Sequence, residues 1–287
     1  VISTFLAVGV GAAVSWLLWT AGASMFDHPT LVRSNYRGAP LVTGAGVLVP
    51  VTVILAAAMA QLFVTAAETT ASWLRPVGTA VPAVVPATVG FALLGLFDDV
   101  AGEGQSGGFR GHLRALAGGQ LTSGMVKLVV GGALGIVVSQ WLPRGDEGVV
   151  GALRDGAIVA LAANLANLVD RAPGRVIKFT SLSFLAMALL VRAPNLVGPG
   201  VGIGAGLGLL GADLRERCML GDAGANALGA LCGLSALVTV NTAAGRWVVL
   251  AALVGLNALS EVRSFSRIID AVPPLRWFDR LGSLRPR

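Results

Sequence analysis

Residues 77–99 read VGTAVPAVVPATVGFALLGLFDD, an uncharged apolar run that ends on two adjacent aspartates. A helix needs about 20 such residues to cross the hydrocarbon of a bilayer. A carboxylate beside such a run is costly unless it meets water, a cation or a donor. The stretch therefore predicts a spanning helix with a polar site at its end. The same juxtaposition recurs down the chain. Asp170 in NLANLVDRAPGR, Asp213 in GADLRER and Asp222 in MLGDAGANALG each fall in a polar gap between apolar segments.

Composition places these runs in a membrane protein. Of 287 residues, 55% are hydrophobic and 13% charged, and the mean hydropathy is +0.78. Soluble domains carry about 25% charged residues. The 39 glycines suit close packing of apolar helices. A formal charge of +6 raises the question of nucleic acid, but the basic residues line short loops, a pattern that fits orientation in a bilayer and contact with anionic head groups. No nucleic-acid partner is expected. Cys218 and Cys232 have no metal-type spacing and read as free thiols. His28 and His112 are not at ligand spacing, so no zinc site is expected. The first apolar run lacks a basic leader and reads as a retained span.

Nine segments qualify as spans: 2–21, 44–67, 77–97, 125–142, 156–169, 179–191, 196–210, 223–240 and 247–259, the fifth, sixth, seventh and ninth with short apolar cores. With the N-terminus outside, only Arg75, Arg144, Arg154, Arg192 and Arg246 of the 21 Lys and Arg fall on the outer side, which leaves sixteen on the cytoplasmic side. The positive-inside rule selects this N-out, C-in orientation. It also places all four acidic clusters on the cytoplasmic face. The expected fold is all-α: one membrane-embedded domain over residues 1–287, a polytopic bundle of about nine transmembrane helices. Between spans, FRGHLRAL (109–116) puts Phe109, Leu113 and Leu116 on one helical face and Arg110 and Arg114 on another, which suits the membrane interface.

The polar residues at the span ends suggest phosphate chemistry. Asp98 and Asp99 cannot both ionise cheaply without a compensating cation, so they read as a general base, a metal-binding pair or a solvated helix end. Lys127, inside the start of an apolar run, either snorkels or holds a phosphate. Asn164, Asn167 and Asp170 recur at i, i+3 on one helical face, followed by Gly174, Arg175 and Lys178, a tight turn with cations suited to anionic oxygens. Gly221 to Ala225 form a small-residue turn into a helix, where Asp222 serves either as an N-cap or as a ligand for Mg²⁺.

Taken in order, these segments resemble the polyprenyl-phosphate N-acetylhexosamine-1-phosphate transferase superfamily, which includes the phospho-N-acetylmuramoyl-pentapeptide and GlcNAc-1-phosphate transferases. The resemblance runs from Asp27 to the tail. It is carried by Asp27, Pro29, Arg33, Pro40, Gly44 and Gly46 in the first loop, then GLFDDV, Lys127, NLANLVD and LGDAGANALG. It implies a Mg²⁺-dependent enzyme that moves a sugar-1-phosphate from a nucleotide diphospho-sugar to a polyprenyl phosphate lipid, on the cytoplasmic face of the cell membrane, in envelope-polymer synthesis. It also leaves room for a homodimer. By resemblance, Asp222 coordinates Mg²⁺ and Asp98 or Asp99 orients or deprotonates the lipid phosphate. Lys127 neutralises phosphate charge, while Asn167 and Asp170 line the donor site; Asn164 and Arg175 join the substrate-binding candidates on their own position and chemistry.

Three departures stand out. Pro173 occupies the position of the family's second acidic residue after Asp170. The last cytoplasmic loop, from Ser260 to Arg267, lacks the family's histidines, and Arg263 and Arg267 are the residues placed to contact a pyrophosphate instead. The tail LRWFDRLGSLRPR contains no tenth span. These departures motivate an alternative: a non-catalytic member that binds lipid phosphate and serves as a scaffold or regulator of envelope synthesis. A transporter fits poorly, because the polar residues gather at one face and no repeated half is visible.

Overall fold

The computed structural model describes residues 2–35, 37–67, 75–101, 111, 117–119, 122–142, 148–190 and 196–284. The amphipathic stretch expected at 109–116 lies, apart from Gly111, outside the described residues, as does the glycine-rich segment 102–108. Nine long helices account for most of the rest. They are α1 (Ile2–Gly22), α2 (Leu48–Ala67), α3 (Arg75–Ala101), α4 (Ser123–Ser139), α5 (Gly148–Val169), α6 (Arg175–Leu190), α7 (Val197–Leu214), α8 (Gly221–Thr239) and α9 (Ala243–Val262). Two short helices follow, α10 (Phe265–Ala271) and α11 (Pro273–Arg280).

Each long helix coincides with one of the nine predicted apolar segments. Six of them, α1, α2, α3, α5, α7 and α9, contain stretches long and apolar enough to cross a membrane. α4 and α6 are shorter, at 17 and 16 residues, and α8 carries Asp222 and Asn226 in its first turns.

Small residues set the packing. Gly200, Gly204 and Gly208 repeat every four residues along α7 and face α1. A Cβ on Gly204 would lie 2.1 Å from the Val8 carbonyl oxygen, and one on Gly208 2.4 Å from that of Ala12. Backbones this close need glycine, and they gain dispersion contact along the whole seam. α8 runs through the middle of the bundle, touching α3, α5, α6 and α7. It is almost wholly buried from Ala223 to Leu237, and Gly229 and Gly233 lie flush against α5. α9 lies at the periphery, with Arg246 its one buried residue.

Two helices extend beyond their apolar cores because their charges are paired. α5 begins eight residues before the predicted span and buries Arg154 and Asp155. Asp155 accepts from Arg154 Nε at 2.8 Å and also from Arg246 of α9, whose remaining donors bond the carbonyls of Leu237 and Val240 at the end of α8. α6 starts at Arg175 for a similar reason, described below.

One short sheet interrupts the helices. β1 (Val32–Ser34) pairs antiparallel with β2 (Pro40–Val42), in the register Val32 to Val42, Arg33 to Leu41 and Ser34 to Pro40. The Asn35 side-chain oxygen closes the turn by accepting from the backbone N–H groups of Arg37 and Ala39. The hairpin is tied to the α7–α8 connection, where Met219 N–H donates to the Val42 carbonyl at 2.7 Å and Glu216 accepts from Asn35 and Arg37.

Candidate active site

The polar junction forms where the end of α3, the start of α4, the end of α5 and the start of α8 meet. The first turn of α8 is seated by glycines. Gly221 has φ +73°, and a Cβ there would lie 2.6 Å from Thr43 Oγ1 and 2.8 Å from Asp99 Oδ2. A Cβ on Gly95 of α3 would fall 2.2 Å from the Asp222 carbonyl oxygen, and one on Gly46 2.3 Å from Gly224 Cα. Only glycine at these points lets the chains approach so closely.

Asp222 is therefore not the cap of its own helix. That role falls to Asp99, whose Oδ1 and Oδ2 accept from the backbone N–H groups of Asp222 at 3.2 Å and Ala223 at 3.3 Å. These are donors that a helix start leaves without intrahelical partners. Arg33 of the hairpin donates to the Asp99 carbonyl at 2.8 Å and so covers the end of α3. With both its oxygens engaged, Asp99 positions α8. Asp98 and Asp222 are the carboxylates presented to the junction.

Lys127 joins them. Its Nζ lies 2.9 Å from Asp222 Oδ2 and 3.3 Å from Asp98 Oδ2. Asn167 Nδ2 donates to the same Asp222 oxygen at 3.0 Å, and Ser123 Oγ donates to Asp98 Oδ1 at 2.9 Å. Ser123 was not singled out in the sequence; a hydroxyl at the first position of a helix looks like ordinary helix-start chemistry, and only the fold brings it to Asp98.

The junction is the wall between two cavities. One, of about 400 Å³, is lined by Arg33, Asp99, Asp170, Pro173, Asp213 and Asp222. The other, of about 430 Å³, is lined by Asp98, Lys127, Asn164, Asn167, Asn257 and Glu261. Asn164 donates to Asn257 Oδ1 of α9 at 2.7 Å, so the amide face expected on α5 is shared between Asp222 and α9. Asn257 and Glu261 were not read from the sequence, although Asn257, Ser260 and Glu261 recur at i, i+3 and i+4 and so share one helical face.

Asp170 follows the last turn of α5 and borders the first cavity. Enclosure by protein raises its pKa well above 3.8, and the carboxylates of Asp213, Asp222 and Asp99 push in the same direction. Asp213 Oδ2 accepts from the Gly174 N–H at 2.8 Å, and Gly174 has φ +70°, so the turn after Asp170 is held in place as the sequence suggested. Cys218 and Cys232 are both free. Burial, and secondarily Asp213, pushes the Cys218 thiol above its ordinary range, as suits an inert side chain.

Four cations expected to meet anionic oxygens of the substrate are placed elsewhere. Arg175 is spent on Asp279 of α11, with Nε to Oδ1 at 2.7 Å and Nη2 to Oδ2 at 2.9 Å, and on Ser266 Oγ at 2.7 Å. Lys178 donates to the carbonyls of Asp279 at 2.8 Å and Leu281 at 2.7 Å, covering the end of α11. Both cations staple the tail to α6 and do not line either cavity. Arg263 and Arg267 are exposed and border neither cavity.

Asp98 and Asp222 are the carboxylates that would hold a Mg²⁺ ion at this junction. Among the described residues no group of three His, Cys, Asp or Glu has the geometry to hold a metal. Yet Asp98 and Asp222 already share one cationic group, and a single lysine leaves the carboxylates under-compensated. Mg²⁺ is commonly held by one or two carboxylates together with substrate phosphates. The residues thus suit an ion that arrives with a phosphate ligand, and do not form a closed protein cage. Neither protein-family models nor curated proteins give a match to this chain.

Proposed function

We propose that this chain is a membrane-embedded, Mg²⁺-dependent transferase that moves a sugar-1-phosphate from a nucleotide diphospho-sugar to a polyprenyl phosphate. The observation that carries the reading is the Lys127 ammonium held between Asp98 and Asp222, with Asn167 on the same Asp222 oxygen, at the wall between two cavities. Two cavities that meet at this polar junction suit two substrates whose phosphates come together there. In this reading all nine long helices span the bilayer with the N-terminus outside and the junction facing the cytoplasm. The outward apolar side chains of α1, α2 and α9, such as Leu6, Trp16, Met59, Leu62, Val248 and Val254, support it.

In the reaction an oxygen of the lipid phosphate bonds to the β-phosphorus of the donor. The bond from that phosphorus to the bridging oxygen breaks, and nucleoside monophosphate leaves. Asp98, fixed by Ser123, orients the lipid phosphate. Lys127 offsets charge on the transferred group. Asn167 holds Asp222 in place, and Asp99 caps and fixes the α8 N-terminus that carries it. Asp222 is the ligand for Mg²⁺, which when bound neutralises the diphosphate. Phosphoryl transfer is mostly positioning and electrostatic stabilisation, so no further nucleophile is needed.

The test is nucleoside monophosphate release by the chain in lipid nanodiscs with Mg²⁺, undecaprenyl phosphate and a panel of nucleotide diphospho-sugars. Release with one donor, lost in Asp222→Ala and Lys127→Met, is the expected result. Pro173 in the acidic position and the missing histidines favour a second reading, a lipid-phosphate-binding scaffold. Silence with every donor from folded protein that still binds the lipid phosphate would replace the first reading with the second.

A further inference from the structure

Arg175, Lys178, Phe179, Leu182, Leu185 and Leu189 recur at helical spacing and form one face of α6. That face changes character after its first turn. Arg175 and Lys178 are buried beneath the tail, bonded to Asp279 and to the carbonyls at the end of α11. Phe179, Leu182, Leu185 and Leu189 are exposed. Around a helix that crosses a bilayer, such an apolar face meets lipid chains. α11 therefore lies in line with the lipid-facing stripe of α6, at the turn where the stripe begins, which is the depth of the head groups. α9 brings the chain to the same level: its last residue, Val262, is 81% exposed, and Arg263 follows at once. The groups that the tail exposes suit this depth. Trp277 is 67% exposed and, two positions from Asp279, lies on the opposite side of α11. A tryptophan favours the membrane–water interface, where its ring is in apolar surroundings and its N–H is wet. Arg263, Arg267 and Arg276 are exposed in the same segment. From residue 263 onward the sequence carries six arginines against two aspartates, and one of those two, Asp279, is already paired with Arg175.

We propose that the tail is an interfacial anchor for anionic phospholipid. α11 lies in the head-group layer beside α6, with Trp277 at the edge of the lipid chains and the exposed arginines on the phosphates. Two observations select this occupant. The uncovered stripe of α6 runs from the staple directly into hydrocarbon, so the surroundings of α11 are continuous with the bilayer. The excess of arginine complements negative head groups, and guanidinium matches phosphate geometry. A short helix with exposed aromatic and basic side chains is the kind that settles in the interface plane. The anchor holds the start of α6 at a fixed depth, and with it the turn from Asp170 to Gly174 beside the first cavity. The inference rests on α6 crossing the bilayer, as proposed above, and not on the transferase chemistry.

The test is depth-resolved quenching of a bimane label on Trp277→Cys, in the full chain in nanodiscs that contain doxyl-labelled phospholipids. A label on Leu185→Cys, midway along the stripe, controls for the span, and the native chain, whose thiols are buried or half-buried, gives the labelling blank. The label at position 277 should be quenched more by a doxyl group near the head group than by one at mid-chain, and the label at 185 the reverse. At equal mole fraction, doxyl phosphatidylglycerol should quench the 277 label about twofold more than doxyl phosphatidylcholine, an excess that high salt screens. Arg263→Gln, Arg267→Gln and Arg276→Gln together should remove that excess while leaving the 185 label unchanged. Quenching of the 277 label by aqueous iodide alone would place α11 in water. Shielding from both iodide and lipid would put a second copy or another protein over Trp277. Either result overturns the anchor, and equal quenching by the two head groups overturns the choice of anionic lipid. If the 185 label met no lipid quencher, the span would fail and the anchor with it, whatever the turnover assay gave.

Discussion

Asp279→Ala would leave the Arg175 guanidinium buried without its carboxylate. Both side chains are nearly inaccessible, at 5% and 3% exposure, and two parallel hydrogen bonds join them. Removing one partner of such a pair costs about 3–5 kcal/mol, most of it the burden of the uncompensated charge left behind. For a chain of this size each kcal/mol lowers the unfolding midpoint by about 2–4 °C, so the midpoint should fall by about 6–20 °C. Replacing both partners, as Arg175→Met with Asp279→Leu, removes the charge together with its counterion. That exchange is often close to neutral, so the double variant should recover most of the loss. The assay is thermal unfolding in nanodiscs followed by tryptophan fluorescence, with donor binding measured on the same samples. Recovery of both stability and donor binding in the double variant is the expected outcome. If each single variant melted like the native chain yet lost donor binding, and the double variant did not regain it, Arg175 would belong to the substrate site and the structural assignment would be refuted.

Asp99→Ala removes both acceptors from the start of α8 and should lower stability by about 1–2 kcal/mol, with Asp99→Asn in between; Asp98→Ala, which leaves the cap intact, should melt nearly as the native chain does. Gly204→Leu should prevent α1 and α7 from closing, since even a Cβ would sit 2.1 Å from a carbonyl oxygen, whereas Gly132→Leu, with nothing within 4 Å, should be tolerated; yield of monodisperse protein decides. Asp170 has a folded pKa above its unfolded value near 3.8, so the stability it contributes is present below that pH and is lost as pH rises toward the folded pKa. Asp170→Asn should therefore gain on the native chain in chemical unfolding at neutral pH and lose that advantage near pH 4. An advantage that grew on acidification would contradict the assigned direction.

Much was legible in the residues alone because the relevant physics is local. Long uncharged runs point to helices, and among the described residues the nine predicted segments fall largely on helices, six of which are long and apolar enough to cross a membrane, where a lone segment has no other way to satisfy its backbone. Asp98, Lys127, Asn167 and Asp222 stood out for the same reason: a polar group beside a run of apolar ones must have a partner. What no local reading shows is which partner. Asp222 at a helix start looks like a cap, yet the cap comes from Asp99, 123 positions earlier, because α3 and α8 cross at Gly95. Arg175 after a tight turn looks like an anion site, yet its carboxylate is 104 positions away on α11. Arg154 and Asp155 look like a loop until Arg246, 91 positions from Asp155, donates to the second Asp155 oxygen and ties the buried start of α5 to α9. Hydrophobicity is a property of a segment, and the sequence alone determined where the helices lie and which residues needed a partner. Charge compensation is a property of pairs brought together by packing, and only the tertiary structure decided which polar residues hold the bundle together and which remain at the junction between the two cavities.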